Sequence, residues 1–168
     1  MTDRKLDEIR QVRMSDLDAV TEVETICFPA AEAAGREALA ERIAAFPESF
    51  LVGIRDGKII GFINGAVINE RLIRDEMYAD PSCHDPQGAW QSIFGLDVLP
   101  EYQHRGYGSE LMEHLIREAA RKGRKGLTLD CKKEKIGFYA RFGYRLLGES
   151  ASEHGGASWN DMILEFAP

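Results

Sequence analysis

The stretch that decides the fold of this 168-residue chain is Val98-Leu99-Pro100-Glu101-Tyr102-Gln103-His104-Arg105-Gly106-Tyr107-Gly108-Ser109. The apolar run before it, Ile93 to Val98, predicts a strand, and the amphipathic sequence after it predicts a helix from Gly108 to Lys122. Glycines at a helix N-terminus let the backbone approach a bound group and leave N–H donors unpaired. Together with the helix dipole and Arg105, these donors predict a cradle for the phosphate oxygens of a nucleotide-type cofactor.

The glycine spacing excludes two other phosphate-binding loops. A dinucleotide fingerprint requires Gly-x-Gly-x-x-Gly, and a P-loop ends in Gly-Lys-Ser/Thr, whereas this chain has only Gly106-x-Gly108 followed by Ser109. The pattern Gln103-x-x-Gly106-x-Gly108, after a strand and before a helix, resembles the acetyl-CoA loop of the GNAT superfamily of N-acetyltransferases. This resemblance implies acetyl-CoA as cosubstrate.

A second segment carries the same resemblance. Residues 135–144, Lys-Ile-Gly-Phe-Tyr-Ala-Arg-Phe-Gly-Tyr, are similar to the GNAT helix that ends in Phe-Tyr-x-x-Phe-Gly-Phe/Tyr. Order and spacing match from about residue 8 to residue 165, which implies a single GNAT domain over residues 1–168. Within the superfamily the chain most resembles the arylalkylamine (serotonin-type) N-acetyltransferases, on Glu22-x-Glu24-x-x-Cys27-Phe28, Asn69-Glu70-Arg71-Leu72 and the block Cys131 to Tyr144.

Composition sets the broad class. A hydrophobic content of 44% and a charged content of 29% are typical of one soluble globular domain. No apolar run approaches the roughly 20 residues that span a membrane, and the polar N-terminus lacks a signal core, so we expect a cytoplasmic protein without a membrane partner. Three cysteines without metal-type spacing predict reduced thiols and no metal site. A net charge of −7 argues against a nucleic-acid surface and favours a cationic small molecule.

Periodicity and turn signals predict a mixed α/β fold. The resemblance adds a mostly antiparallel central sheet of about seven strands, flanked by about four helices and splayed at the acetyl-CoA site. The predicted helices are Ser15–Ile26, Ala30–Ala45, Gly108–Lys122 and Glu134–Phe142. The predicted strands are Leu6–Met14, Phe50–Arg55, Lys58–Asn69, Ala89–Val98, Gly126–Cys131, Tyr144–Leu147 and Trp159–Phe166. Between them, the polar segment Glu70–Gly88 is long enough to predict a functional loop.

The reaction that the resemblance implies is direct acetyl transfer from the CoA thioester to a primary amine. Such a transfer needs a neutral amine, a donor to the developing oxyanion and an acid for the leaving thiolate. The resemblance assigns the acid to Tyr139, beside the CoA sulfur. It assigns the carbonyl and the pantetheine arm to the backbone of Leu96, Asp97 and Val98. The phosphate loop then comprises Gln103, His104, Arg105, Gly106, Tyr107, Gly108 and Ser109.

The general base departs from the serotonin-type pattern. The His-x-His pair of those enzymes falls on Ser92 and Phe94 here, and neither can act as a base at neutral pH. We take Glu24, on the first helix, and Glu70, at the start of the long loop, as the principal candidates. Asp97, His84 and desolvation of the amine itself are further possibilities.

The acceptor pocket is expected to involve Phe28, Trp90 and Phe94, together with the long loop and the segment Gly148–Trp159. We therefore predict an acetyl-CoA-dependent N-acetyltransferase for a small amine. Two alternatives stay open: acetylation of a protein or peptide, and a CoA-binding module with little catalysis, which the absent histidine pair motivates. A homodimer is possible, and the sequence does not name the amine.

Overall fold

The computed structural model of this chain describes residues 5–167. This part of the chain contains nine strands and five α-helices. The strands are β1 Glu8–Gln11, β2 Phe50–Arg55, β3 Lys58–Asn64, β4 Val67–Ile68, β5 Trp90–Ile93, β6 Gly95–Val98, β7 Gly126–Cys131, β8 Arg145–Glu149 and β9 Asn160–Glu165. The helices are α1 Leu17–Cys27, α2 Arg36–Ala45, α3 Glu76–Ala79, α4 Tyr107–Arg121 and α5 Ile136–Ala140. The predicted mixed α/β class is confirmed.

The chain divides into two units, of which the first comprises residues up to 64 and residues 95–115. Its four strands form an antiparallel sheet in the order β1-β2-β3-β6. The hairpin between β2 and β3 turns at Asp56 and Gly57, both with positive φ, as the Asp-Gly signal predicts. Helix α1 packs against β3, β6 and α2, and buries Val20 and Val23. The two edge strands of this sheet are β1 and β6.

The second unit comprises residues 65–94 and the chain from residue 116 onward. Its five strands follow the order β4-β5-β7-β9-β8, in which β5 and β7 are parallel and every other neighbouring pair is antiparallel. Leu127, Leu129, Met162 and Ile163 are buried along the central strands β7 and β9. Within residues 5–167, no helix has the length and apolar character needed to cross a bilayer.

Two predicted strands are interrupted in the structure. The predicted strand Lys58–Asn69 divides into β3 and β4, and Ala89–Val98 divides into β5 and β6. At the first interruption the backbones of Gly65 and Ser92 approach so closely that a Cβ at Gly65 would lie 1.9 Å from the Ser92 carbonyl oxygen. The interruptions raise the strand count to nine, above the expected seven.

The second helix starts later than its composition suggests. We predicted Ala30–Ala45, whereas α2 begins at Arg36. The preceding segment is held in another conformation because the Ala34 N–H donates to Glu24 Oε2 at 2.8 Å and Gly35 is extended. The last predicted helix, Glu134–Phe142, is also shorter, with α5 limited to Ile136–Ala140 behind a 3-10 turn. The long loop contains α3 and a second 3-10 turn.

Candidate active site

The phosphate loop joins a 3-10 turn to the start of α4. His104 and Gly106 have φ angles of 63° and 87°, and this left-handed backbone turns the chain into the helix. The first helical hydrogen bond runs from the Glu110 N–H to the Gly106 carbonyl, at 3.1 Å, so the N–H groups of the residues between them are unpaired within the helix. Arg105 is exposed, with its guanidinium 5.8 Å from the centre of the Tyr102 ring. This arrangement can bind phosphate oxygens.

Two predicted loop residues have side chains with other contacts. The Gln103 amide donates to the Val98 carbonyl oxygen at 2.8 Å, which ties the loop to β6. The Tyr107 side chain is 1% exposed and packs in the core, so only its backbone N–H remains for a phosphate. Sequence reasoning placed both residues in the phosphate loop, whereas Tyr107 begins α4, and it did not foresee these side-chain contacts.

The edge strand β6 presents alternate backbone groups to its open side. The Leu99 N–H donates to the Ile60 carbonyl at 2.8 Å, and the register pairs Asp97 with Phe62. Antiparallel pairing alternates, so the N–H and C=O of Asp97 face β3, while those of Leu96 and Val98 face the edge that has no strand partner in this sheet. Leu96 and the Val98 N–H can therefore pair with a pantetheine arm, whereas the Val98 carbonyl already accepts hydrogen bonds from Gln103 and Cys27. The backbone role that we predicted for Asp97 is not supported, because its N–H and C=O face β3 and pair with that strand.

The Asp97 side chain contacts Glu24 instead. Both residues are buried, and their carboxyl groups lie close enough between β6 and α1 to form a hydrogen bond once one of them is protonated, while no other donor among residues 5–167 reaches an Asp97 oxygen. Burial, the charge of Glu24 and this hydrogen bond raise the pKa of Asp97 well above its usual value, and Arg42 opposes the rise. Asp97 thus keeps a proton that it donates to Glu24. The structure brings together two of our candidate bases, which are 73 residues apart in sequence.

Cys27 anchors α1 to the same strand. Its Sγ donates to the Val98 carbonyl oxygen at 3.3 Å, one helical turn after Glu24. Burial, with the nearby charges of Asp97 and Glu24, raises the pKa of Cys27 to about 12. A thiol in this state is a poor nucleophile. Covalent catalysis through Cys27 therefore has no support.

Two other predicted site residues lie elsewhere. Glu70 is on the surface, where its carboxylate forms an ion pair with Arg74 at 2.8 Å, so the structure gives it no features of a buried base. Trp90 is 5% exposed and covers Gly126 in the neighbouring strand, which makes it a core residue. Phe28 is half-buried directly after α1. We carry neither Glu70 nor Trp90 into the proposal below.

Within the second unit, the long loop contacts the turn before β9 through hydrogen bonds and ring stacking. Asp75 accepts hydrogen bonds from the Ser152 hydroxyl and, at 2.9 Å, from the Glu153 N–H. The Tyr78 ring stacks on His154 at 4.9 Å and lies 5.0 Å from Phe94. Trp159 lies 5.9 Å from His154 and donates its indole N–H to the His154 carbonyl. We call Tyr78, Phe94, His154 and Trp159 the aromatic cluster.

Two acidic residues that we did not predict as site residues, Asp130 and Asp161, lie on the central strands of this unit. Asp130 on β7 and Asp161 on β9 are directly opposite each other, and Ser150 donates to Asp130 at 3.3 Å. Burial and the neighbouring Asp161 raise the pKa of Asp130 to about 8. The available signal was a single acidic residue within the otherwise apolar strand Gly126–Cys131.

Tyr139 lies on α5 within a group of aromatic rings. Its ring meets Phe138 edge-on at 5.1 Å and Tyr144 at 5.9 Å, and it is half-buried. Burial, with Tyr139 as neighbour, raises the pKa of Tyr144 well above its usual value. These contacts fix the position of the Tyr139 ring, while its part in catalysis stays a prediction. No group of three or more potential metal ligands occurs in the described part of the chain.

Comparison with known proteins assigns the family. Residues 17–144 match the "Acetyltransferase (GNAT) family", which covers well over half of the chain, so the protein belongs to this family. This is a family of acetyltransferases, and the mixed α/β architecture of the chain is the GNAT fold.

One curated relative is a "Probable hydrolase YhcX" from Bacillus subtilis, 28% identical over 116 residues. The match covers 62% of this chain and 22% of that protein, so the chain spans about a fifth of the length of its relative. Activities of the longer protein are therefore not transferred.

Solved structures of the same fold include proteins with different described activities. The "GphF GNAT-like decarboxylase in complex with isobutyryl-CoA" has a TM-score of 0.82 and 25% identity, with 94% of this chain and 98% of that chain covered. The loading GNATL domain of CurA from Lyngbya majuscula has a TM-score of 0.81 and 17% identity, with 94% of this chain and 96% of that chain covered. The ribosomal-protein-S18-alanine N-acetyltransferase from Escherichia coli has a TM-score of 0.71 and 19% identity, with 96% of this chain and 94% of that chain covered. The last two likenesses concern the fold alone.

Proposed function

We propose that this protein transfers an acetyl group from acetyl-CoA directly to the primary amine of a small, cationic molecule. The observation that carries this proposal is the contact of the long loop with the turn before β9, through Asp75 and the Tyr78–His154 stack. In this fold these two segments border the acceptor. Because the long loop and this turn contact each other, they leave less room for a polypeptide acceptor than an open groove would.

The charges nearby favour a cation. Asp161 lies in the same unit as the aromatic cluster, opposite Asp130, whose raised pKa of about 8 keeps it protonated at neutral pH, and the whole chain carries a net charge of −7. An ammonium group is attracted both to carboxylates and to aromatic faces. We therefore assign recognition of the amine to this unit, with Phe94 as one of its aromatic contacts.

The transfer itself needs few groups. In the proposal, the N–H groups at the start of α4 and Arg105 bind the phosphates, and the edge backbone of Leu96 and Val98 pairs with the pantetheine arm and the acetyl carbonyl. The neutral amine attacks the thioester carbon, a C–N bond forms and the C–S bond breaks. Tyr139 gives its proton to the thiolate and regains one from the product nitrogen.

Several wider predictions belong to the same proposal. The chain functions as one GNAT domain over residues 1–168, in the cytoplasm, and a homodimer is compatible with it. The resemblance to arylalkylamine N-acetyltransferases makes such amines the first substrates to try. Protein or peptide acetylation is the rival, since structural neighbours include the Escherichia coli enzyme for ribosomal protein S18.

The test is CoA release from acetyl-CoA with a panel of arylalkylamines, polyamines, aminoglycosides and short peptides. We expect turnover with a small cationic amine and little with peptides. Turnover confined to peptides would overturn the small-molecule assignment. Tight acetyl-CoA binding by calorimetry, with no turnover across the panel, would favour a CoA-binding module instead.

A further inference from the structure

We propose that Glu24, Asp97 and Asn64 form a proton path that removes the ammonium proton of the acceptor, with one water molecule in the space above Gly95 as its first member. The inference rests on the proposed function and names the base that the missing histidine pair leaves open. All of these residues lie in the first unit.

The inner end of the path is formed by the carboxyl groups of Glu24 and Asp97. Asp97 is 1% exposed and shares its proton with Glu24, which also accepts the Ala34 N–H. The charged or titratable groups that face Asp97 are Glu24 and Cys27 from α1 and Arg42 from α2. Two adjacent carboxyl groups bind protons as one unit, so the pair can take up a further proton.

The outer end is marked by a buried donor with no acceptor. Asn64 is fully buried, and its Oδ1 accepts a hydrogen bond from Arg42 at 3.1 Å, which fixes the orientation of the amide. The Asn64 Nδ2 has no hydrogen-bond partner among residues 5–167. A buried amide donor of this kind is usually satisfied by an ordered water.

Gly95 provides the space for that water. A Cβ at this position would lie 3.2 Å from Asp97 Oδ1 and 3.6 Å from Asn64 Nδ2, so the missing side chain leaves a gap between a donor and a carboxyl group. Gly95 is itself half-buried, whereas Asn64 and Asp97 are inaccessible. The space at Gly95 therefore lies next to both the Asn64 donor and the Asp97 carboxyl group. It lies beside Leu96, whose backbone faces the sheet edge.

The proton balance is simple. The ammonium group gives a proton to the water, the water gives one of its own to Asp97 Oδ1, and Asp97 passes its original proton to Glu24. The amine becomes neutral, Glu24 becomes a neutral carboxylic acid, and the water and Asp97 end unchanged. After the product leaves, Glu24 loses this proton to solvent by the reverse path. Asn64 holds the water in place and transfers nothing, so it is a positioning residue.

The test compares kcat and its pH profile for wild type, Gly95→Ala, Gly95→Ser, Glu24→Gln and Asp97→Asn, with the best amine from the panel. Gly95→Ala fills the gap without removing a polar group, and we expect kcat to fall about 10²-fold, as for other lost proton-transfer groups. The serine hydroxyl of Gly95→Ser can replace the water, so we expect it to restore most of the loss. Glu24→Gln and Asp97→Asn should lower kcat similarly and alter its pH profile.

Asp16→Asn is the matched control. Asp16 is another buried carboxylate of the first unit and pairs with Arg10 at 2.8 Å, so its loss should lower the Tm and leave the pH profile unchanged. If Gly95→Ala does not fold, the nearly isosteric Glu24→Gln and Asp97→Asn still decide the matter. Wild-type kcat and pH profile in those two variants would overturn the path. Absence of turnover by wild type itself would instead overturn the proposed function.

Discussion

Asp97 keeps its proton because the folded chain offers its carboxyl group little that favours a charge. It is buried in β6, it faces the carboxyl group of Glu24, and its backbone is committed to β3. Only Arg42 acts in the opposite direction. A carboxyl group that stays neutral in the folded protein ionises readily in the unfolded chain, so its effect on stability depends on pH.

Substitution of Asp97 should therefore change how stability varies with pH. The folded-state pKa of Asp97 is raised, so its contribution to stability is fully present below the unfolded pKa of about 3.9 and is lost as pH rises through the folded pKa. Asp97→Asn keeps a donor to Glu24 and has no proton to lose. We expect the Tm of the variant, relative to wild type, to be higher at pH 9 than at pH 5. A constant difference across this range would contradict the assignment.

Tyr139 is tested by removing only its hydroxyl group. Tyr139→Phe keeps the ring contacts with Phe138 and Tyr144, so the variant should fold and bind acetyl-CoA with unchanged affinity. Loss of a general acid should lower kcat about 10²-fold. Steady-state kinetics with calorimetry separates the two effects. Wild-type turnover would show that the thiolate gets its proton elsewhere.

At the residue scale, sequence reasoning found partners that are local and missed those that are distant. Gln103, Arg105 and Gly106 could be assigned to a loop because the chemistry lies in neighbouring positions. Glu24 was a reasonable base candidate, but its contact with Asp97 joins two elements 73 residues apart, and no local pattern reports it. Asn64 and Gly95 were missed for the same reason, since their importance comes from strand register.

At the scale of elements, α4 and the loop before it form one arrangement that can bind an anion. Within the first unit the left-handed residues His104 and Gly106 turn the chain so that the first N–H groups of the helix stay unpaired. Arg105 contributes a mobile positive charge beside them. The helix bounds agree with the prediction to within one residue at each end, because amphipathic periodicity over 15 residues is a strong signal.

Arg105→Ala should weaken acetyl-CoA binding by removing a charge-assisted contact to phosphate. We expect the Kd to rise about tenfold, on the order of 1.4 kcal/mol, and the loss to shrink at high salt. Arg121→Ala is the matched control, because Arg121 is at the far end of the same helix and pairs with Glu118 at 2.8 Å. Equal losses in both variants would argue against a specific role for Arg105.

The interrupted strands show where element prediction fails. Phe50–Arg55 and Gly126–Cys131 were predicted with their exact bounds, because apolar runs bounded by turn residues define them. The breaks at Gly65 and Phe94 follow from how strands approach one another, which a single run does not encode. The start of α2 likewise depends on Glu24, a residue of the preceding helix.

The contact between the long loop and the turn before β9 is tested by substituting Asp75. Asp75→Ala removes the acceptor of the Ser152 hydroxyl and the Glu153 N–H, so hydrogen exchange should increase over residues 150–156. We expect the KM for the amine to rise severalfold while the Kd of acetyl-CoA stays unchanged. Glu76→Ala, which removes only a surface ion pair with Arg74, is the control. An unchanged KM would mean that the contact does not shape acceptor binding.

At the scale of the whole molecule, the proposed cosubstrate is anionic and the proposed acceptor is cationic. The first unit contributes the phosphate loop, in which Arg105 is a local positive charge. The chain as a whole is acidic, with 28 acidic against 21 basic residues. An anionic cosubstrate therefore depends on a local positive site, whereas a cationic acceptor is attracted by the general field.

This difference predicts how the kinetics respond to salt. With acetyl-CoA saturating, kcat/KM for a cationic amine should fall as ionic strength rises from 0.01 M to 0.15 M, over which the Debye length shortens from roughly 30 Å to roughly 8 Å. The fall should be steeper for a diamine than for a monoamine of equal chain length, because the field acts on each charge separately. Long-range attraction affects encounter rather than the chemical step, so kcat should stay constant. Equal slopes for the two amines would show that the acidic surface does not select the acceptor, and recognition would then lie with the aromatic cluster.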